Sequence, residues 1–188
     1  MESLRHRRLG QGNHVLEAET LLPLPLEEVF PFFAAAENLQ RITPPELGFR
    51  ILTPGPVTVH AGRLIDYRLR LFGVPFRWRT RITVWDPPHR FVDEQLAGPY
   101  HTWIHLHEFT PVGRATRMRD EVRYRLPLHP LGGVALPLVR AQVTRIFRYR
   151  ALAIERLLLE GAPGRAAPAR VPAAPAPAPP PSAPQEVR

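Results

Sequence analysis

Residues 100–126 alternate in a way that assigns both of their faces. Trp103, His105, His107 and Phe109 alternate with Thr102, Ile104, Leu106 and Glu108, and in a strand every second side chain shares a face. In the next run Arg117, Arg119, Glu121, Arg123 and Arg125 alternate with Thr116, Met118, Asp120, Val122 and Tyr124. A face of charged groups belongs in water. Paired as a hairpin through residues 111–114, the two runs turn an aromatic ring, two imidazoles and an acid inward. A core does not need such groups, whereas a binding cavity does.

The remaining elements follow from the same two periodicities. Residues 13–22 roughly alternate and predict a first strand. Pro25 opens a helix with Glu27 and Glu28 in its first turn and an apolar stripe of Leu26, Val29, Phe30 and Phe33. A second short helix over residues 35–41 must stop before Pro44 and Pro45. Strands are predicted at 48–53, 63–72, 76–85, 90–96, 100–110 and 115–126, punctuated by Gly and Pro. Arg68 and Arg70 oppose Tyr67, Leu69 and Leu71, while Arg77, Arg79 and Arg81 oppose Trp78, Thr80 and Ile82, so one sheet face is wet and the other is inner. A long helix over 135–160 carries Val139, Val143, Ile146, Phe147, Ile154, Leu157 and Leu158 at helical spacing and stops at Gly161. At about 39 Å it can cross the concave side of a curved sheet. The predicted class is α+β: a curved antiparallel sheet wrapped around a long C-terminal helix, with two short helices after the first strand. Residues 1–12 read as a flexible basic arm, 13–160 as the domain, and 161–188 as a disordered Pro/Ala-rich tail.

Composition narrows the chemistry. A chain of 188 residues with 44% apolar content supports one domain with a true core. It has no Cys, which excludes disulfides, thiolate metal sites and thiol nucleophiles. All 25 basic residues are Arg, and serine occurs only at Ser3 and Ser182. Schiff-base and Ser nucleophile chemistry are therefore closed to the domain, leaving His, Asp, Glu, Tyr, Thr or a metal. A net charge of +8 invites a nucleic-acid partner. The aromatics lie on the face opposite the arginines, however, so a stacking platform is missing and no nucleic acid is expected. The arginine face reads first as a solvated sheet surface, and second as a contact for an anionic membrane or an acidic partner. Without a signal-peptide pattern or a transmembrane run, the expected location is cytoplasmic.

Several local strings go further: Arg41-Ile42-Thr43-Pro44-Pro45, Phe91-Val92-Asp93-Glu94-Gln95, Gly98-Pro99-Tyr100, Trp103 through Phe109, Asp120 through Tyr124, and Ile146 through Arg150. Over about residues 13–160 the chain resembles the START-like, or SRPBCC, superfamily with its helix-grip fold. The likeness is to a bacterial ligand-binding branch related to polyketide cyclases/dehydrases and coenzyme Q-binding START proteins. The resemblance implies a deep, mostly apolar cavity between sheet and helix, used across the superfamily for lipids, isoprenoids, quinones, sterols, hormones and polyketides.

Within such a cavity Tyr67, Trp78, Trp103 and Tyr124 would supply apolar walls. Asp93, Gln95, His105, His107, Asp120 and Arg150 would orient a polar head group. The two histidines, about 7 Å apart along one strand, have three readings: ligand contacts, a metal site with Asp93 or Asp120, or a satisfied buried network. The metal reading ranks last, since His-x-His is a common accident and the superfamily does not generally use metals there, so no metal and no cofactor are expected. Arg150 lies on the inner stripe of the long helix and either pairs with Asp93 or Asp120 or receives an anionic group of the ligand. The leading function is binding or carriage of a small hydrophobic molecule, with no residue assigned as catalytic. The alternative is a polyketide-cyclase or dehydratase enzyme with His105 or His107 as general acid or base and Asp120 orienting it.

Overall fold

Two strands open the chain, β1 (Ser3–Gly10) and β2 (Asn13–Leu22), followed by helices α1 (Leu26–Ala34) and α2 (Glu37–Arg41). The short β3 (Arg50–Ile51) leads into β4 (Leu64–Leu71), β5 (Val74–Asp86), β6 (Arg90–Ala97), β7 (Thr102–Val112) and β8 (Ala115–Arg125), and α3 (Leu136–Leu159) closes the fold. The computed structural model describes residues 3–128 and 131–159, so the expected tail at 161–188 lies outside the described residues. The strands form one antiparallel sheet in the order β1, β2, β8, β7, β6, β5, β4, β3. This is the helix-grip α+β architecture.

The inner side of the sheet is the side the alternation selected. Met118, Val122 and Tyr124 are buried on β8, Ile65, Tyr67, Leu69 and Leu71 on β4, and Trp78, Thr80 and Ile82 on β5. On the other side Arg68, Arg70, Arg77, Arg79, Arg81, Arg117 and Arg123 are exposed. Acidic neighbours pair with several of the outer arginines: Arg79 with Asp66 at 2.7 Å, and Arg119 with Glu108 at 2.7 Å and with Glu121 at 2.8 Å. Such pairs are individually worth about 1 kcal/mol or less. All four residues of the α1 stripe are buried and pack with Phe91, Phe109, Met118 and Ile154. Phe30 at their centre is 1% exposed. On α3, Val143, Phe147, Ala151 and Ile154 are buried, which seats the helix on the concave face. Among the described residues no helix is long and apolar enough to cross a membrane.

One expectation is corrected. Residues 1–12 were read as a loose arm, yet Ser3–Gly10 pair with β2 from Ser3 opposite Glu19 to Arg8 opposite His14. The turn runs through Gly10, Gln11 and Gly12 at φ of 87°, 48° and 76°, a path that glycine on both sides makes accessible. The strand was hidden because Leu4 and Leu9 are its only large apolar residues, so periodicity had little to report. Backbone pairing supplies most of the order. Leu4 packs against the cluster of Leu16, Val122, Tyr124 and Phe147, and His6 Nε2 meets Thr144 Oγ1 of α3 at 2.8 Å.

Candidate functional site

Strand register assembles a quartet of two acids and two imidazoles. Asp93 on β6 stands opposite His105 on β7, and Asp120 on β8 stands opposite His107. Because His105 and His107 share a face, each acid has one imidazole directly across and the other on the diagonal. The hydrogen bonds take the diagonals: His105 Nε2 to Asp120 Oδ1 at 3.0 Å, and His107 Nε2 to Asp93 Oδ2 at 3.1 Å. The direct pairs are close as well. His105 Nδ1 lies 3.5 Å from Asp93 Oδ2. His107 Nδ1 lies 2.8 Å from Asp120 Oδ1, at an angle that misses a hydrogen bond. The imidazole centroids are 3.7 Å apart, and Phe91 stacks on His107 at 4.2 Å.

Burial and these contacts set where the proton sits. Burial pushes His105 down to about 4, and the neighbouring His107 pushes the same way, against Asp120 and Asp93. Burial also pulls His107 down, but its contacts with Asp120 and Asp93 outweigh this and leave it raised. For Asp120 burial favours the neutral acid, and both imidazoles reverse that, holding it well below the usual carboxylate range. Burial likewise opposes ionisation of Asp93, which His107, His105 and Arg150 together overcome. Burial and the neighbouring ring thus disfavour a proton on His105, while the two acids favour one on His107.

Beside the quartet an interior cavity of about 160 Å³ opens between the sheet, α3 and the α1–α2 segment. Leu39 and Ile42 close one side, Tyr67 and Leu69 of β4 and Trp78 of β5 another, and Ile146 and Phe147 of α3 the roof. The aromatic wall is interlocked: Tyr67 stacks on Trp78 at 5.7 Å, and Trp78 meets Trp103 edge-on at 5.4 Å. These ring contacts each add about 0.5–1.5 kcal/mol beyond area burial. Arg150 also lines the cavity and is 9% exposed. Its guanidinium lies 5.3 Å above the Phe147 ring. Among the described residues no carboxylate lies within ion-pair distance of it, and its Nε has no hydrogen-bond partner. Trp78 Nε1 is likewise buried without a partner.

Seven of the ten candidate positions therefore line the cavity: Tyr67, Trp78, Asp93, Trp103, His105, His107 and Arg150. The structure separates three from it. Asp120 is behind the imidazoles, where it orients them. Tyr124, 1% exposed, packs with Leu16, Val122 and Val143 and stands behind the wall, its ring 6.0 Å from that of Tyr100 and 6.1 Å from that of Trp103, because alternation reports a face but not a position along the groove. Gln95 ties the β6–β7 turn, with Nε2 donating to Tyr100 O at 2.7 Å and Oε1 accepting from Tyr100 N at 3.4 Å. Nor is the anticipated ion pair of Arg150 with Asp93 or Asp120 formed. Thr80 and Tyr100 are polar wall residues that sequence reasoning left out. Thr80 was accessible to it, since it shares the inner face of β5 with Trp78 and Ile82. Tyr100 sits in a turn, where no periodicity applies.

The sequence of residues 22–148 matches the family model described as polyketide cyclase / dehydrase and lipid transport. None of the curated proteins matches the chain. Among solved structures, the ZhuI aromatase/cyclase of Streptomyces sp. R1128 superposes with a TM-score of 0.62 at 16% identity, covering 85% of this chain and 99% of that one. A START superfamily protein of Mycobacterium smegmatis gives 0.59 at 13% identity over 78% and 97%. A point mutant of Thalictrum flavum norcoclaurine synthase in complex with a transition-state analogue gives 0.58 at 16% over 85% and 98%. At these identities the likeness is one of fold.

Proposed function

This chain belongs to the polyketide cyclase / dehydrase and lipid transport family, of START-like fold, and on that premise we propose that it binds a small, mostly apolar molecule bearing an anionic end. The guest's body lies against Tyr67, Trp78 and Trp103, and its head meets Arg150. One observation carries this reading: a guanidinium on the cavity wall, buried and without a carboxylate partner among the described residues. A buried charge without a directly paired carboxylate is costly, on the order of several kcal/mol, and Asp93, which attracts it at longer range, is engaged by the imidazoles instead. Cation–π contact with Phe147 offsets only about 0.5–2 kcal/mol of that. A carboxylate, enolate or phosphate on the guest would supply the rest, and Trp78 Nε1 offers a second donor to the same head group. A volume of about 160 Å³ is near the roughly 150 Å³ that houses a single aromatic ring and below the roughly 300–1,000 Å³ of common ligand pockets. That favours a guest of one or two rings over a long chain.

Binding without turnover is favoured over the cyclase or dehydratase alternative by the state of the imidazoles. Each of their four ring nitrogens lies 2.8–3.5 Å from a carboxylate oxygen. One nitrogen of each ring is hydrogen-bonded to an acid and the other lies beside one, so a guest would have to compete with Asp93 and Asp120 for the proton that general acid–base catalysis moves. The test uses 2-naphthoate and its neutral amide as probes. Wild-type protein should prefer the carboxylate, and Arg150→Gln should weaken naphthoate binding by tenfold or more while leaving the amide nearly unchanged, in keeping with the roughly 1.5–3 kcal/mol of a charged hydrogen bond. Equal binding of naphthoate by both proteins would remove Arg150 from the proposal.

A further inference from the structure

We propose that Asp93, His105 and His107 form a site for one divalent transition-metal ion of the zinc class, with Asp120 as the outer carboxylate that orients both rings. The site does not depend on the identity of the guest. Its first support is distance. One donor atom from each of the three residues lies within 4.8 Å of the others. Asp93 Oδ2 stands 3.1 Å from His107 Nε2 and 3.5 Å from His105 Nδ1. In a tetrahedral site with ligands about 2.1 Å from the ion, neighbouring donors are about 3.4 Å apart. The carboxylate oxygen is already at about that spacing from each nitrogen, and the three donors stay within 4.8 Å of one another, so side-chain adjustment rather than a new strand register would seat an ion.

The second support is the far side of the rings. A histidine that ligates through one nitrogen needs the other held by an acceptor, which fixes its tautomer and orientation. Here His105 Nε2 is hydrogen-bonded to Asp120 Oδ1 at 3.0 Å, and His107 Nδ1 lies 2.8 Å from the same oxygen at an angle short of a hydrogen bond. One acid thus stands behind both rings, and Asp93 Oδ2 stands on the side of both near nitrogens.

The third support is charge. Two carboxylates and two neutral imidazoles carry −2, and burial makes that costly. Among the described residues Arg150 is not in ion-pair contact with either acid. A divalent ion cancels all of that charge. It would leave Arg150 available to the guest. Asp93, His105 and His107 lie on the cavity wall, which gives the ion a way in, and three protein donors leave a fourth position for water or the guest's head group.

The test is titration of the full chain, first stripped with a chelator, using zinc chloride by calorimetry and cobalt chloride by visible absorption. We expect one equivalent of zinc to bind with sub-micromolar affinity, and cobalt to give the intense visible bands of a tetrahedral centre. Asp93→Asn and His107→Gln should each weaken zinc by at least about a hundredfold. Asp120→Asn should weaken it about 10–100-fold with stoichiometry retained, and His60→Gln at an exposed site should change nothing. Absence of stoichiometric binding by the wild-type protein at micromolar zinc overturns the proposal whatever the variants do. So does wild-type affinity in folded Asp93→Asn and His107→Gln proteins, which would place the ion elsewhere.

Discussion

Asp120 and His105 meet across a strand diagonal, with Oδ1 and Nε2 3.0 Å apart, although their direct cross-strand partners are other residues: His107 for Asp120 and Val122 for His105. The diagonal leaves Asp120 Oδ1 within reach of both imidazoles at once. An acid placed one pleat further along the strand would meet only one ring. Position 120 on β8 is thus where a single carboxylate stands against two adjoining histidines, and it does so from behind, out of the cavity.

Removing that carboxylate takes away the partner of His105 Nε2 and one of the two acids beside His107. Asp120→Ala should cost about 3–5 kcal/mol, the range for breaking a buried charged pair by deleting one partner. Asp120→Asn, which keeps an acceptor oxygen but not the charge, should cost clearly less. Urea unfolding of both variants measures this, and a loss under 1 kcal/mol for the alanine variant would show that Asp120 does not organise the quartet.

The arrangement was half legible before any coordinates. Period-two alternation placed His105, His107 and Asp120 on one face because outward arginines tolerate no other choice. Helical spacing on α1 picked out all four buried residues. What alternation does not encode is height along the groove. It therefore grouped Tyr124, which stands behind Trp103 and Tyr100, with Trp103, which faces the cavity. It also does not encode what a turn demands, and so Gln95 looked like a wall residue when it is a brace. The first strand escaped because its order comes from backbone pairing, which leaves no mark in hydropathy.

That strand makes a prediction opposite to the reading of a loose arm. Deleting residues 1–12 removes the packing of Leu4 and the His6–Thr144 hydrogen bond. At about 1 kcal/mol for the bond and a similar amount for a half-buried leucine, the loss should be roughly 2 kcal/mol. It should appear as a lower urea midpoint with little change in slope. An unchanged midpoint would mean that the strand adds nothing to the domain.

Gly98 and Gln95 should behave as one unit. A Cβ at Gly98 would lie 2.4 Å from Gln95 Oε1 and 2.6 Å from its Cδ, so the Gln95 side chain must leave, taking its two bonds to the Tyr100 backbone with it. Gly98→Ala and Gln95→Ala should each cost about 1–2 kcal/mol. The double variant should cost no more than either, a coupling that a double-mutant cycle reads directly. Additive losses would mean that the glycine is needed for another reason.

The outer face makes its own prediction at low pH. Glu17 accepts from Arg7 Nη2 at 2.8 Å and Nε at 3.3 Å, and from Arg119 Nη2 at 3.3 Å. The Arg7 hydrogen bonds, aided by Arg119 and opposed by burial, hold the Glu17 carboxyl below its ordinary value of 4.5. A depressed carboxylate binds fewer protons in the fold than in the unfolded chain, so stability rises with pH through this window. The contribution is complete above about pH 5 and is lost as pH falls through the folded value. Arg7 is itself half exposed, so the effect is small in energy and is best read site by site. A carboxyl carbon titration of Glu17 by NMR should give a midpoint below 4.5, and Arg7→Gln should raise that midpoint more than Arg119→Gln does. Protection of the β1 amides, corrected for the intrinsic exchange rate, should fall over the same acid range, because the Arg7–Glu17 pair joins β1 to β2. A wild-type midpoint at or above 4.5, unmoved by either substitution, would show the two strands to be held by their backbone ladder alone.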